Sequence, residues 1–157
     1  MLLLDVPGRG KYELARAVLD VNGTIAEDGH LIPGVKERLT RLRRMLDVVL
    51  VTADTYGRQI ALDRELDLEA HRLEKGQPEA PQKAELVRRL GAESTVAIGN
   101  GANCALMLKE AAIGIAVVEA EGASTAAILN SDVVVRSIED GLDLLLNPRR
   151  LVATLRQ

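Results

Sequence analysis

"AVLDVNGTIAEDG", residues 17–29, joins an apolar run, Ala17-Val18-Leu19, to a carboxylate at Asp20, with Gly23 and Thr24 just beyond. In open parallel α/β sheets, ligands bind outside the carboxyl ends of the strands, so an acid ending a buried strand faces a crevice where it can meet a substrate. The stretch predicts an α/β fold with its site at the strand ends, if similar apolar blocks recur along the chain.

They recur in regular alternation with helical patterns. The segments 15–21, 46–53, 94–100, 113–118 and 131–137 are short, rich in Val and Ile, and read as buried parallel strands, with 70–76 as an edge strand. Between them, 33–45, 56–66, 81–91, 103–111 and 124–130 carry helical spacing. Residues 137–146 and 148–156 read as closing helices split by Asn147-Pro148. The pattern predicts one domain over 1–157, a three-layer, Rossmann-like, doubly wound α/β fold with a mainly parallel sheet. Residues 1–14, with a turn at Pro7-Gly8-Arg9-Gly10, read as an extended or hairpin arm added to that sheet.

Composition narrows the chemistry. The chain has no Phe or Trp, and Tyr12 and Tyr56 are its only aromatics, so it offers no stacking platform for bases. A net charge of −3 gives no electrostatic reason to expect nucleic acid or a membrane surface as partner. One cysteine rules out an internal disulfide framework and fits a reducing compartment. No run approaches the ~18 apolar residues of a membrane span, and "MLLLDVPG" is too short and acidic for a signal peptide, so the expected location is cytoplasmic.

Several strands end in polar groups. Asp20 and Asn22 follow the first block and Thr52 and Asp54 the second, while Gly99-Asn100-Gly101 and Asn103 follow the block at 94–100. Lys83 lies in the helix leading into that block. A carboxylate, a hydroxyl, an ammonium and a glycine turn suit a phosphoryl group.

These motifs resemble the haloacid dehalogenase-like hydrolases, and within them the phosphorylation domain of P-type ATPases and their small soluble relatives. The resemblance runs in order through "DVNGT" (20–24), "VTAD" (51–54), Lys83 in "PQK" and "GNGANC" (99–104), and continues in "LMLKEAAIGIAV" (106–117). It implies a Mg²⁺-dependent phosphohydrolase with Asp20 as nucleophile and Asn22, Thr52 and Lys83 as the other catalytic positions. The implied phosphate contacts are Gly23, Thr24, Thr52, Ala53, Lys83 and Asn103, with Gly23 and Thr24 presenting backbone N–H groups. The implied Mg²⁺ ligands are Asp20, the Asn22 carbonyl and Asn100.

Two departures stand out. The superfamily's phosphatases usually carry a second Asp two positions after the nucleophile, where this chain has Asn22, which neither gives nor takes a proton. The fourth motif usually offers acids to Mg²⁺, where this chain has Asn100 and Cys104; an amide oxygen is neutral and a thiol too soft. Slow turnover or weak metal binding would follow, so a second reading is a catalytically impaired protein of the same fold that binds a phosphorylated or protein partner.

Other residues have simpler readings. Lys75 competes with Lys83 for the third motif, and the spacing to Gly99 and the preceding Pro81 favour Lys83. Asp54 reads as a helix cap, Cys104 as a small buried hydrophobe, and His30 and His71 as surface residues too isolated for a zinc site. The short intervals between Asp20, Thr52 and Lys83 leave no room for a cap domain. A capless site is open, so a homo-oligomer partner or a large phosphorylated substrate is expected to cover it.

Overall fold

Apolar strands buried on both faces require a sheet sandwiched between helices, and the computed structural model, which describes residues 1–157, has that form. In chain order the elements are β1 (Leu2–Val6), β2 (Gly10–Leu14), β3 (Arg16–Asp20), β4 (Ala26–Glu27), β5 (His30–Leu31), α1 (Val35–Leu42), β6 (Asp47–Thr52), α2 (Gln59–Leu66), β7 (His71–Arg72), α3 (Glu79–Leu90), β8 (Thr95–Gly99), α4 (Ala105–Glu110), β9 (Ile113–Val117), α5 (Thr125–Leu129), β10 (Val133–Val135), α6 (Ile138–Leu146) and α7 (Pro148–Leu155). Short 3-10 turns over Ala92–Ser94 and Ala102–Cys104 lead into β8 and α4.

The main sheet has six strands in the order β10-β9-β8-β3-β6-β7, and every neighbouring pair is parallel. Alternate strand residues serve opposite layers, as the two-residue period of a strand requires. Ala17, Leu19, Leu50, Ile98 and Ile115 pack into one cluster with Leu39 of α1, Leu62 of α2, Leu142 of α6 and Leu151 of α7. Val18, Val51, Ala97 and Ala116 pack into another with Val87 of α3, Met107 of α4 and Ala127 of α5. This is the three-layer α/β architecture read from the sequence.

The N-terminal arm departs from expectation. β1 and β2 pair antiparallel with each other and form a separate two-stranded sheet instead of extending the main one. The reason lies in β3, whose two sides are already occupied by β6 and β8, so the free edges of the main sheet lie elsewhere, at β10 and β7. Leu2, Leu4 and Val6 alternate inward and join the same cluster as Leu151 and Leu155 of α7. A second small sheet, β4 with β5, was not expected; it folds back about Asp28 and Gly29, both at positive φ (51° and 79°). Positive φ at both central residues matches the hairpin turn for which Asp-Gly is a preferred pair.

Candidate active site

Register fixes what meets at the carboxyl edge of the sheet. Asp20 ends β3 opposite Val51 of β6, so Thr52 lies one residue further along. On the other side Leu19 stands opposite Ile98 of β8, which brings Gly99 and Asn100 to the same edge. Lys83 reaches in from α3.

The centre of this edge is a buried ion pair. Lys83 Nζ donates to Asp20 Oδ1 at 2.7 Å, with the two side chains only 1% and 7% exposed. Burial opposes the charge on Lys83, but the Asp20 carboxylate outweighs it by charge and hydrogen bond and raises the lysine above its ordinary pKa. Lys83 also donates to Cys104 Sγ at 3.5 Å. Burial, and then the charge of Asp20, push the Cys104 thiol up to about 12, so it stands there as a neutral group. Gly99 allows this close approach: a Cβ on it would fall 2.6 Å from Cys104 Sγ and 2.9 Å from Met107 Cε.

The turn after Asp20 is closed by its own backbone. Gly23 N–H donates to the Ala26 carbonyl at 2.8 Å and Thr24 N–H to the Val21 carbonyl at 3.2 Å. Both N–H groups are therefore committed inside the turn, and the expectation that they face an anion is corrected here. Gly23, at φ 77°, supplies the left-handed conformation that the turn needs. The buried Thr24 hydroxyl lies 3.3 Å from Asp20 Oδ2 and 3.4 Å from Asn100 Oδ1, joining the first and fourth motifs. The half-buried Asn22 sits at the rim between them.

Thr52 is buried, and its Oγ1 accepts from Asp54 N–H at 2.8 Å. It donates to no acceptor in the chain, so its O–H proton is free to be donated to an oxyanion. Asp54 Oδ1 in turn accepts at 3.1 Å from the N–H of Gln59, the first residue of α2, so it serves the helix start from five residues away, while the N-cap position itself is Arg58 and the helix begins later than the expected 56. Ala53 lies between them, half-buried.

Asn103 is engaged elsewhere than expected. Its Nδ2 donates to Glu79 Oε2 at 2.5 Å and its Oδ1 accepts from Cys104 Sγ at 3.4 Å, so its polar atoms are spent on tying the 3-10 turn to α3. A residue that sequence reasoning missed takes a place at the rim: Glu121, in the loop between β9 and α5, has its Oε2 3.4 Å from Asn100 Nδ2. Lys75, the competing third-motif lysine, is exposed in the loop before α3, and His30 and His71 are both exposed.

Oxygen donors dominate around Asp20. They are Asp20 Oδ2, the buried Asn100 Oδ1 and the carbonyl of Asn22, which accepts no hydrogen bond within the turn. Such hard donors fit Mg²⁺, whereas a neutral thiol does not. No group of three His, Cys, Asp or Glu gathers in the fold, so the negative charge available to a cation here is small.

Comparison with known proteins places the chain in a family. The family profile described as haloacid dehalogenase-like hydrolase matches residues 4–112, more than half of the chain. The chain belongs to the haloacid dehalogenase-like hydrolases. Within curated sequences it is 57% identical over 61 residues to the uncharacterized protein MJ0073 of Methanocaldococcus jannaschii, a match covering 39% of this chain and 66% of that one. It is 53% identical over 38 residues to MJ0072 of the same organism, covering 24% of this chain and 86% of that one. The chain thus spans just under two thirds of the length of MJ0073.

Solved structures of this hydrolase family share the fold. A 3-deoxy-D-manno-octulosonate 8-phosphate phosphatase from Moraxella catarrhalis, in complex with magnesium, phosphate and KDO, superposes with a TM-score of 0.64 at 18% identity, covering 91% of this chain and 94% of that one. Phosphoserine phosphatase in its apo form gives 0.67 at 16% identity, covering 85% and 100%. A zinc-transporting PIB-type ATPase in its E2.Pi state gives 0.63 at 25% identity over 78% of this chain and 20% of the ATPase. No helix of the present chain is long and apolar enough to cross a membrane.

Proposed function

We propose that this hydrolase is a Mg²⁺-dependent phosphohydrolase working through an aspartyl phosphate on Asp20. The observation that carries the reading is the buried 2.7 Å pair of Asp20 and Lys83 at the carboxyl edge of a parallel sheet, with the Thr52 hydroxyl on the neighbouring strand. The Asp20 carboxylate attacks phosphorus, an oxygen–phosphorus bond forms, and the bond to the leaving group breaks as its electron pair departs with the leaving oxygen. Lys83 and the Thr52 O–H stabilise charge on the phosphoryl oxygens. Water then attacks phosphorus, the Asp20 oxygen–phosphorus bond breaks with its electron pair returning to the carboxylate, and the water's proton passes to an oxygen of the departing phosphate.

Asp20, the Asn22 carbonyl and Asn100 would hold the Mg²⁺, which when bound neutralises phosphoryl charge. Because Asn22 cannot protonate a leaving oxygen, the substrates favoured are acyl and aryl phosphates, whose leaving groups need no proton. The intervals on either side of Thr52 hold only the β4/β5 hairpin, single helices and short strands, so the substrate side is open. A second copy of the chain or an extended phosphorylated substrate closes it in this reading, and sedimentation over a concentration series decides between them.

The second reading, a binding protein with impaired turnover, draws on the three neutral residues at Asn22, Asn100 and Cys104. Hydrolysis of aryl and acyl phosphates with and without Mg²⁺, with Asp20→Asn as the blank, separates the two. Mg²⁺-dependent turnover lost in Asp20→Asn supports the enzyme; phosphate-mimic binding with no turnover supports the binding protein.

A further inference from the structure

The charges around Asp20 leave a cation site one acid short. Lys83 neutralises Asp20, Asn22 and Asn100 are amides, and Cys104 is an un-ionised thiol in contact with the lysine. A divalent cation placed there would meet no net negative charge from the motif residues. Mg²⁺ is held in proteins chiefly by carboxylates and water.

A further acid, Glu121, stands beside Asn100 and the turn at Gly23. Its Oε2 is 3.4 Å from Asn100 Nδ2, and a Cβ on Gly23 would fall only 2.1 Å from the same oxygen, so the carboxylate rests against the turn that follows Asp20. The loop bearing it is tied to the fourth motif by two further contacts. Ser124 N–H donates to the Asn100 carbonyl at 2.8 Å, and Asn100 Nδ2 reaches the Gly122 carbonyl at 3.3 Å. Glu121 forms no ion pair, whereas nearby Glu119 is taken up by the N-terminus of α6 through Ile138 N–H. Glu121 itself is exposed, so its carboxylate stands on the solvent side of the turn, with Asn100 Nδ2 as its hydrogen-bond partner and no cation of the chain to neutralise it.

We propose that Glu121 supplies the second carboxylate of the divalent-cation site, in place of the acid that Asn100 and Cys104 do not provide. The inference rests on the reading of Asp20 and Asn100 as cation ligands. Glu121 acts through its charge, while the hydrogen bond to Asn100 holds it in position. Glu121→Gln removes the charge but keeps an oxygen that can accept from Asn100, so it isolates the charge from the positioning contact.

The test is Mn²⁺ binding, followed by the free-ion paramagnetic signal and by calorimetry on the intact chain, with urea unfolding in EDTA as the control for fold. Glu121→Gln is expected to weaken Mn²⁺ binding about tenfold to a hundredfold with the EDTA unfolding curve unchanged. The double variant Asn100→Asp/Glu121→Gln, which restores the charge at a neighbouring position, is expected to recover most of the affinity. Binding by Glu121→Gln within twofold of the parent chain overturns the role of Glu121 while leaving the cation site intact. Absence of Mn²⁺ binding by the parent chain overturns the cation site itself, and the proposal with it.

Discussion

Lys83 Nζ and Asp20 Oδ1 meet at 2.7 Å from adjacent layers of the fold, the lysine on α3 and the aspartate at the end of the central strand β3. Both side chains are almost fully withdrawn from water, so neither charge is tolerable without the other. The pair is a structural joint and, on the proposed mechanism, the chemical centre of the site.

Breaking that joint from one side leaves a buried, uncompensated charge. Lys83→Met is therefore expected to lower stability by about 3–5 kcal/mol in urea unfolding. The double variant Asp20→Asn/Lys83→Met, which carries neither charge, is expected to lose less than either single variant. Equal, additive losses would show that the two side chains do not interact.

Cys104 makes an alkaline signature. Its pKa stands at about 12 in the fold against 9.0 ordinarily, so above pH 9 the unfolded chain loses a proton that the native chain keeps. The stabilising contribution is thus fully present below pH 9 and declines as pH rises, by about 1.4 kcal/mol per pH unit at most. Lys83, raised above its ordinary 10.5, acts in the same direction but only at higher pH. Urea midpoints of the parent chain should fall between pH 9 and 10.5 more steeply than those of Cys104→Ala. Parallel curves would place the thiol in a solvated environment.

On the proposed mechanism, Asn22 sets the leaving-group preference. Asn22→Asp should raise turnover of alkyl phosphates by about 10²–10⁴-fold, the usual contribution of a positioned general acid, and change aryl and acyl phosphates far less. A uniform effect across leaving groups, read from kcat/KM over a substrate series, would remove Asn22 from the path of the proton.

Much of this was legible in the sequence because burial on both faces leaves a continuous apolar run, as in β3, β8 and β9, and β6 and the edge strand β10 showed apolar runs as well. The polar residue closing each run then marked the site edge, so Asp20, Thr52 and Asn100 could be placed together before their register was known. Lys83 was legible from its spacing, although only the fold shows it in hydrogen-bond contact with Cys104. What stayed hidden depends on contacts between distant segments. Glu121 follows Asn100 by 21 residues and meets it only because β8 and β9 are neighbours in the sheet. The committed N–H groups of Gly23 and Thr24 depend on how tightly the turn closes. The Asp28-Gly29 pair did carry a hairpin signal, but with β4 and β5 only two residues each it had no alternating flanks to announce it.

The most direct test of Asp20 as nucleophile is to trap what it forms. The chain is mixed with an acyl phosphate and Mg²⁺, quenched in acid, and mapped by peptide mass spectrometry. One phosphoryl group on the peptide containing Asp20, absent from Asp20→Asn, is the expected result. Sustained turnover with the phosphoryl group on another residue, or undiminished in Asp20→Asn, would contradict it.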